Sequence, residues 1–404
     1  MSTVLAHPSA SAPPPLNAAE LNEQALALQL SDGLAAKTLA CQALAEAETD
    51  PIQQAFAHLN LSLHALRNES IELGTDHLDT ARQLLATAQV ADKRVGWLAE
   101  YVAGMRLRRL GKWSEALAIL RPLHEQAGTR RPLFDAYLTL SSLAVMLGMD
   151  GDRYEALSHL YDALALARRS GDPSLIVNAL NNVGSFQLDL YNLEDALPLL
   201  EECLAGAIAI ESHRQIIFAA GNLVQCQCAM GLEKEALAIA REHLVSRIRP
   251  DDIASLQRDE EIAYALLENG LLDEAEARLA RGQHVNEMVH EISTHRVWVR
   301  ARLLLARGRP GEALALCRSH KAAGAVDDPT PPVDQVRLAH IAADSAAAVG
   351  DHAQAYALLS ETYAVQEQLL GRAARARYLS LQISHEVQRS AAERDAAQRT
   401  AHEL

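Results

Sequence analysis

A small residue recurs at intervals of 38 to 42 positions along almost the whole 404-residue chain. The series is Ala36, Gly74, Ala116, Ala156, Ala196, Ala236, Ala275, Ala313 and Ala355. A period in this range marks an array of helical units, each too small to bury its own apolar face and so obliged to stack on its neighbours. Such an array offers an extended surface and works by binding. A catalytic pocket is therefore the less natural expectation from the start.

Two further positions keep the same register. Five residues before the small residue stands a turn residue: Gly111, Gly151, Tyr191, Gly231, Gly270, Gly308 and Gly350. Glycine suits a helix C-terminus that closes at positive φ. Twelve before the small residue stands another: Gly104, Ala144, Gly184, Ala263, Ala301 and Ala343. Small side chains on both helices of a hairpin let the two backbones approach closely. The unit from Asp172 to Ser212 reads as a helix over PSLIVNALNNVGSFQLDL, a break at Tyr191-Asn192, and a second helix over LEDALPLLEECLAGAIAI. Two helices of about 17 residues plus two short turns account for the period of forty.

GKWSEAL (111–117), GDRYEAL (151–157) and GLEKEAL (231–237) carry this register most clearly. They resemble the turn and second helix of the tetratricopeptide repeat (TPR) in a lengthened form. The resemblance spans roughly residues 16–369 and implies an all-α, right-handed superhelical solenoid of about nine antiparallel hairpins. It departs from the common TPR in its longer period and in lacking the proline after the second helix. Residues 1–15, rich in Pro, Ser and Ala, read as a disordered lead-in. Residues 370–404 read as a linker or coiled-coil helix.

Composition narrows the partners. The formal net charge is −15, which argues against nucleic acid, since phosphate backbones call for clustered Lys and Arg. No run of 18 apolar residues spans a membrane, and the N-terminus lacks the plan of a secretory signal. Five cysteines at 41, 203, 226, 228 and 317 form no C-x-x-C pair, which fits reduced thiols in a cytoplasm.

In the TPR resemblance the first helix of each hairpin lines the groove. Positions thirteen, nine and six before the turn then form one stripe of that helix. The stripe is apolar in the early hairpins, as in Leu98, Val102 and Met105. From the fifth hairpin it becomes polar: Asn178, Asn182, Ser185; then Asn222 and Gln225 after Phe218; then Glu261 and Tyr264 after Gln257; then His295 and Arg302; then Arg337. Asn22, Asn60, Asn182 and Asn222 share one offset. Asparagine is a weak helix former, so the series needs a reason. One reason is a row of carboxamides that clamps the backbone of an extended peptide; the other is hydrogen bonding to the neighbouring hairpin. TPR regulators that bind signalling peptides, and kinesin light chains, have similar Asn-Asn helices, as in ALNNVG (179–184). His295, Arg302 and Arg337 stand where a ligand carboxylate would be met.

No catalytic constellation, cofactor loop or metal motif is expected. In HEISTH (290–295) the histidines are five apart, whereas H-E-x-x-H needs four to place both on one helix face. Cys226 and Cys228 lie about 200° apart around a helix and cannot chelate together. The four Glu-Ala-Leu tripeptides, beginning at 115, 155, 235 and 312, are repeat architecture.

After the ninth hairpin the helical pattern continues. Leu379, Ile383 and Val387, then Ala397, Ala401 and Leu404, form a weak seam, read either as a single capping helix or as a parallel homodimer stalk. The stretch 376–404 resembles the linker helices that join TPR sensors to output domains in bacterial signalling proteins, among them diguanylate cyclases. The functional expectation is a cytoplasmic sensory or scaffolding module that binds a peptide or protein segment and relays this through the tail. The alternatives are the regulatory half of a diguanylate cyclase or other output enzyme, a transcriptional regulator without its DNA-binding head, and an assembly scaffold for a folded partner.

Overall fold

The structure, a computed structural model, describes residues 16–88, 92–125, 132–248, 258–281, 294–323 and 332–380, the last apart from 364, 368, 372, 373, 376 and 379. The lead-in 1–15, position Gln257, residues 290–293 of HEISTH, and Leu379 with the seam beyond 380 lie outside these. Among the described residues there is no strand. The contacts divide the chain into two units, residues 1–110 and 111–404.

The first unit holds two hairpins and a fifth helix. These are α1 (Ala18–Leu28) with α2 (Gly33–Glu46), α3 (Pro51–Asn68) with α4 (Ile71–Thr87), and α5 (Lys93–Arg109), which packs on α3 and α4. Their starts are chemically marked. The backbone N–H groups of Asn17 and Glu20 each donate to the other's side-chain oxygen in a capping box, and Asp50 caps α3 ahead of Pro51.

The second unit begins with α6 (Trp113–Glu125), packed on α7. Then follow α7 (Leu133–Asp150) with α8 (Arg153–Ser170), α9 (Pro173–Asp189) with α10 (Leu193–Ala209), and α11 (His213–Ala229) with α12 (Glu233–Ile239). Next come α13 (Asp259–Glu268) with α14 (Leu272–Arg281), α15 (Thr294–Ala306) with α16 (Pro310–Ala323), and α17 (Pro332–Ala348) leading into α18 (352–380). The unit around Asp172 has two helices of 17 residues each, as the period requires.

The register residues do what their chemistry predicts. All seven turn residues have positive φ, from 60° at Tyr191 to 108° at Gly151. At five turns the following N–H reaches back to the carbonyl five residues earlier at 2.9 Å: Asn192 to Gln187, Leu232 to Gln227, Leu271 to Leu266, Arg309 to Leu304 and Asp351 to Ala346. That is the Schellman closure, which satisfies carbonyls left open at a helix end. The recurring alanines at 36, 116, 156, 196, 236, 275 and 313 are fully buried. At Gly184 a Cβ would stand 2.7 Å from the Leu200 side chain, and at Gly148 2.5 Å from the Phe186 ring, so a side chain at either position would have to displace its neighbour.

Two features depart from expectation. The second helix of the sixth hairpin changes at Ala240 into a π turn (Ala240–Leu244) and a short 3-10 turn (Val245–Arg247). The first helix of the seventh hairpin has only 10 residues. Among the described residues one helix, α7, is long and apolar enough by composition to cross a membrane, although no such stretch was expected. Its hydropathy averages 1.2, and 67% of that window is buried among the other helices.

Candidate functional site

In the second unit each first helix touches the next: α7 on α9, α9 on α11, α11 on α13, α13 on α15, and α15 on α17. This chain of contacts makes one continuous face. Every candidate site residue stands on it: Asn178, Asn182 and Ser185 on α9, Asn222 and Gln225 on α11, Glu261 and Tyr264 on α13, His295 and Arg302 on α15, and Arg337 on α17. The face separates them into two groups.

The first group is a set of half-buried amides and hydroxyls. The Asn182 amide donates to Ser141 Oγ at 2.9 Å, one hairpin back. Asn222 donates to Asn181 at 3.0 Å, Gln215 to the Ser174 carbonyl at 3.1 Å, and the Tyr137 hydroxyl to Asn178 Oδ1 at 2.7 Å. Ser185 donates to the Asn182 carbonyl of its own helix. The series thus links adjacent hairpins through its donors. These bonds leave the side-chain oxygens of Asn182 and Asn222 unused on a half-exposed surface.

The second group is an ionic and aromatic cluster. Tyr264 and Trp298 meet edge to face with ring centroids 4.8 Å apart, and His295 lies 5.4 Å from Trp298. The guanidinium of Arg337 sits over Trp298 at 4.9 Å and that of Arg302 at 5.2 Å, two cation–π contacts on one ring. Carboxylates of the chain itself answer these cations. Arg302 bonds Glu268, Arg337 reaches Asp334 at 3.3 Å, and His295 Nδ1 stands 3.8 Å from Asp334. Glu261 accepts from Arg258 at 2.9 Å and from Gln225 at 3.1 Å.

Burial works against a charged His295, but Asp334, Glu261 and Glu260 outweigh it and hold the imidazole above its usual value. The same contacts keep Asp334 below the ordinary carboxylate range despite burial, through His295 and Arg337. Burial pushes the Tyr264 hydroxyl up. Burial also raises the Cys203 and Cys226 thiols to about 12, so they are inert thiols.

Glu261, Tyr264 and His295 are buried, while Arg302 and Arg337 are half-exposed. The cations expected to await a ligand carboxylate are thus already matched from within the chain. Trp298, Glu268, Asp334 and Arg258 were not singled out by the stripe. Trp298 follows His295 by three residues, which puts it on the same helix face, and that spacing was the available signal. Among the described residues no group of His, Cys, Asp and Glu has the arrangement of a metal site.

The tetratricopeptide repeat family matches residues 138–170, within α7 and α8. No curated protein matches the chain in sequence. Among solved structures the chain is similar to a Rap protein complexed with competence and sporulation factor: 15% identity, 88% of this chain and 99% of that one, TM-score 0.62. It is similar to the apo form of the quorum sensor NprR from B. thuringiensis, with 13% identity, 86% and 97% coverage, and TM-score 0.55. It is also similar to NprR in complex with its cognate peptide NprX, with 13% identity, 82% and 98% coverage, and TM-score 0.52. At these identities the likeness establishes the fold, an all-α TPR-like solenoid.

Proposed function

We propose that the first-helix face of hairpins five to nine binds an extended peptide or protein segment, and that the chain is a sensory or scaffolding module which relays this event through its C-terminal helix. The observation that carries the reading is the half-buried run Asn178, Asn182, Ser185, Asn222 and Gln225 on the adjacent helices α9 and α11. Its carboxamide oxygens at 182 and 222 are free of the bonds that tie the hairpins together. A peptide backbone presents N–H donors at regular intervals, which such acceptors satisfy whatever the side chains. The complexes of similar structures with competence and sporulation factor and with the peptide NprX favour the same class of ligand. Arg302 and Arg337 then set the ligand's polarity at the far end, where a carboxylate must compete with Glu268 and Asp334. The tail's likeness to linkers before diguanylate cyclase domains, and the cytoplasmic, bacterial setting, stand on the sequence alone.

The test begins with peptides that co-purify with the chain, identified by mass spectrometry and resynthesised. Titration calorimetry then compares the chain with Asn182→Ala plus Asn222→Ala. Loss of two hydrogen bonds predicts affinity weakened about tenfold or more. Unchanged affinity removes the carboxamide face as the binding element.

A further inference from the structure

The last two hairpins enclose a cavity of about 490 Å³ between α16, α17 and α18. Each helix turns one stripe towards it. Leu314, Cys317, Arg318 and Lys321 on α16 follow the spacing i, i+3, i+4, i+7. Gln335, Leu338, Ala339 and Ala342 on α17 repeat it, and so do Leu358, Glu361, Thr362 and Val365 on α18. Arg337, which belongs to the first-helix face, stands about 200° round α17 from Ala339. The cavity and that face therefore lie on opposite sides of α17.

The floor of the cavity is apolar. Leu314, Cys317 and Ala342 are buried, and Val336 and Leu358 are half-buried. Burial raises the Cys317 thiol to about 11, so it stays neutral and adds apolar surface instead of a nucleophile. Room is left because α17 offers only methyl groups at Ala339 and Ala342. The mouth is polar, with Arg318, Lys321 and Glu361 exposed. Two bonds join α16 to α18 there: Arg318 donates to the Gln354 side-chain oxygen, and Lys321 pairs with Glu361 at 3.3 Å. Two cations thus face one carboxylate, a local excess of positive charge in a chain of formal net charge −15. Arg302, Arg309 and Arg337 nearby each bond a carboxylate, whereas the acceptor at Arg318 is a neutral amide.

We propose that this cavity is a second binding site, for a small amphipathic carboxylate of the medium-chain fatty acid type, whose carboxylate takes Arg318 from Gln354 and whose chain lies between α16, α17 and α18. An apolar hollow of a few hundred Å³ with a few polar groups at one end is the usual form of a small-molecule site, and it admits a chain of about ten carbons. A carboxylate meets a guanidinium through two parallel bonds and holds it about twice as strongly as a neutral acceptor does, so it displaces the amide. Lys321, one turn along α16, adds its charge. The alkyl chain leaves water for the leucine and alanine floor. An extended peptide is the poorer occupant, because its regularly spaced N–H and C=O groups find few partners on that floor.

The test uses the whole chain and three probes that share one alkyl body: decanoate, decanol and decyltrimethylammonium, titrated by calorimetry at pH 7.5. Decanoate is expected to bind saturably, about tenfold or more tighter than either of the others. Arg318→Gln should bring decanoate down to the level of decanol and leave decanol unchanged. Ala339→Phe, which puts a ring into the cavity, should abolish binding of both, with a melting temperature unchanged or raised as cavity filling predicts. Absence of saturable decanoate binding overturns the site, and so does binding that survives in a folded Ala339→Phe variant. Decanol or decyltrimethylammonium bound as tightly as decanoate overturns the assignment of a carboxylate. Should Ala339→Phe fail to fold, Arg318→Gln decides, and undiminished decanoate affinity there overturns the proposal. Decanoate binding lost in Asn182→Ala plus Asn222→Ala also overturns it, by moving the acid to the first-helix face.

Discussion

Asn60 and Asn182 occupy the same offset in their repeats, nine residues before a turn, yet they live in different surroundings. Asn60, on α3, is fully buried. Its amide donates to the Asn22 carbonyl at 3.0 Å, while its own backbone carbonyl accepts from Gln29 at 3.0 Å. The flanking stripe residues Phe56 and Leu63 are buried as well. Asn182, on α9, is half-exposed, with Asn178 and Ser185 beside it, and its amide donates one hairpin back to Ser141. A repeat register thus decides which way a side chain points. Whether it becomes a strut or a contact surface depends on its stripe neighbours. Apolar neighbours seal the first asparagine, and polar neighbours leave the second wet.

The largest expected effect is at the sealed position. Asn60→Ala removes a buried side chain and the bond it gives to the Asn22 carbonyl between hairpins one and two, at a cost of about 2–3 kcal/mol. Native-state hydrogen exchange of the α3 amides should show the loss. If Asn60→Ala changes protection no more than Asn182→Ala does, the distinction between the two sites fails.

A middle-sized effect belongs to the far end of the stripe, where burial and charge coincide. The folded state holds His295 above the value it has when unfolded. Its contribution is therefore fully present below the unfolded value of about 6.5 and is lost as pH rises through the raised folded value. The melting temperature should fall between pH 6 and pH 9, and His295→Gln should flatten that part of the profile. A profile of the same slope in the variant would mean that the Asp334 and Glu261 contacts do not hold the imidazolium.

Much of this architecture is written locally in the chain. The turn residues, the paired small positions and the 17-residue helices follow from one period, because each unit repeats the same two-helix packing problem. The change from apolar to polar stripe was also readable. Burial within the polar stripe was not: Glu261 and His295 look alike with Asn222 in sequence, and only the packing of α11, α13, α15 and α17 encloses the first two. The contact of Ser380 with Gln187 lay further beyond reach: the two carry no register relation, and a contact across 193 residues depends on how the five successive hairpins from the fifth to the ninth turn. The π turn at Ala240 likewise has no counterpart in the repeat pattern.

The smallest effect on stability is also the most decisive for function. Asn182→Ala gives up one hydrogen bond to Ser141 on a surface that water reaches, so the Ser141 hydroxyl finds a replacement partner. The expected cost is below about 1 kcal/mol, measured as the shift in urea midpoint with unchanged slope. In a helix interior alanine also has the better propensity, by a few tenths of a kcal/mol, which offsets part of that loss. A cost that small would fit the proposed role, in which asparagine recurs with the period of the array for what the face binds. A cost of 2 kcal/mol or more would instead place Asn182 with Asn60 among the struts, and the ligand-binding face would then have to begin at Asn222.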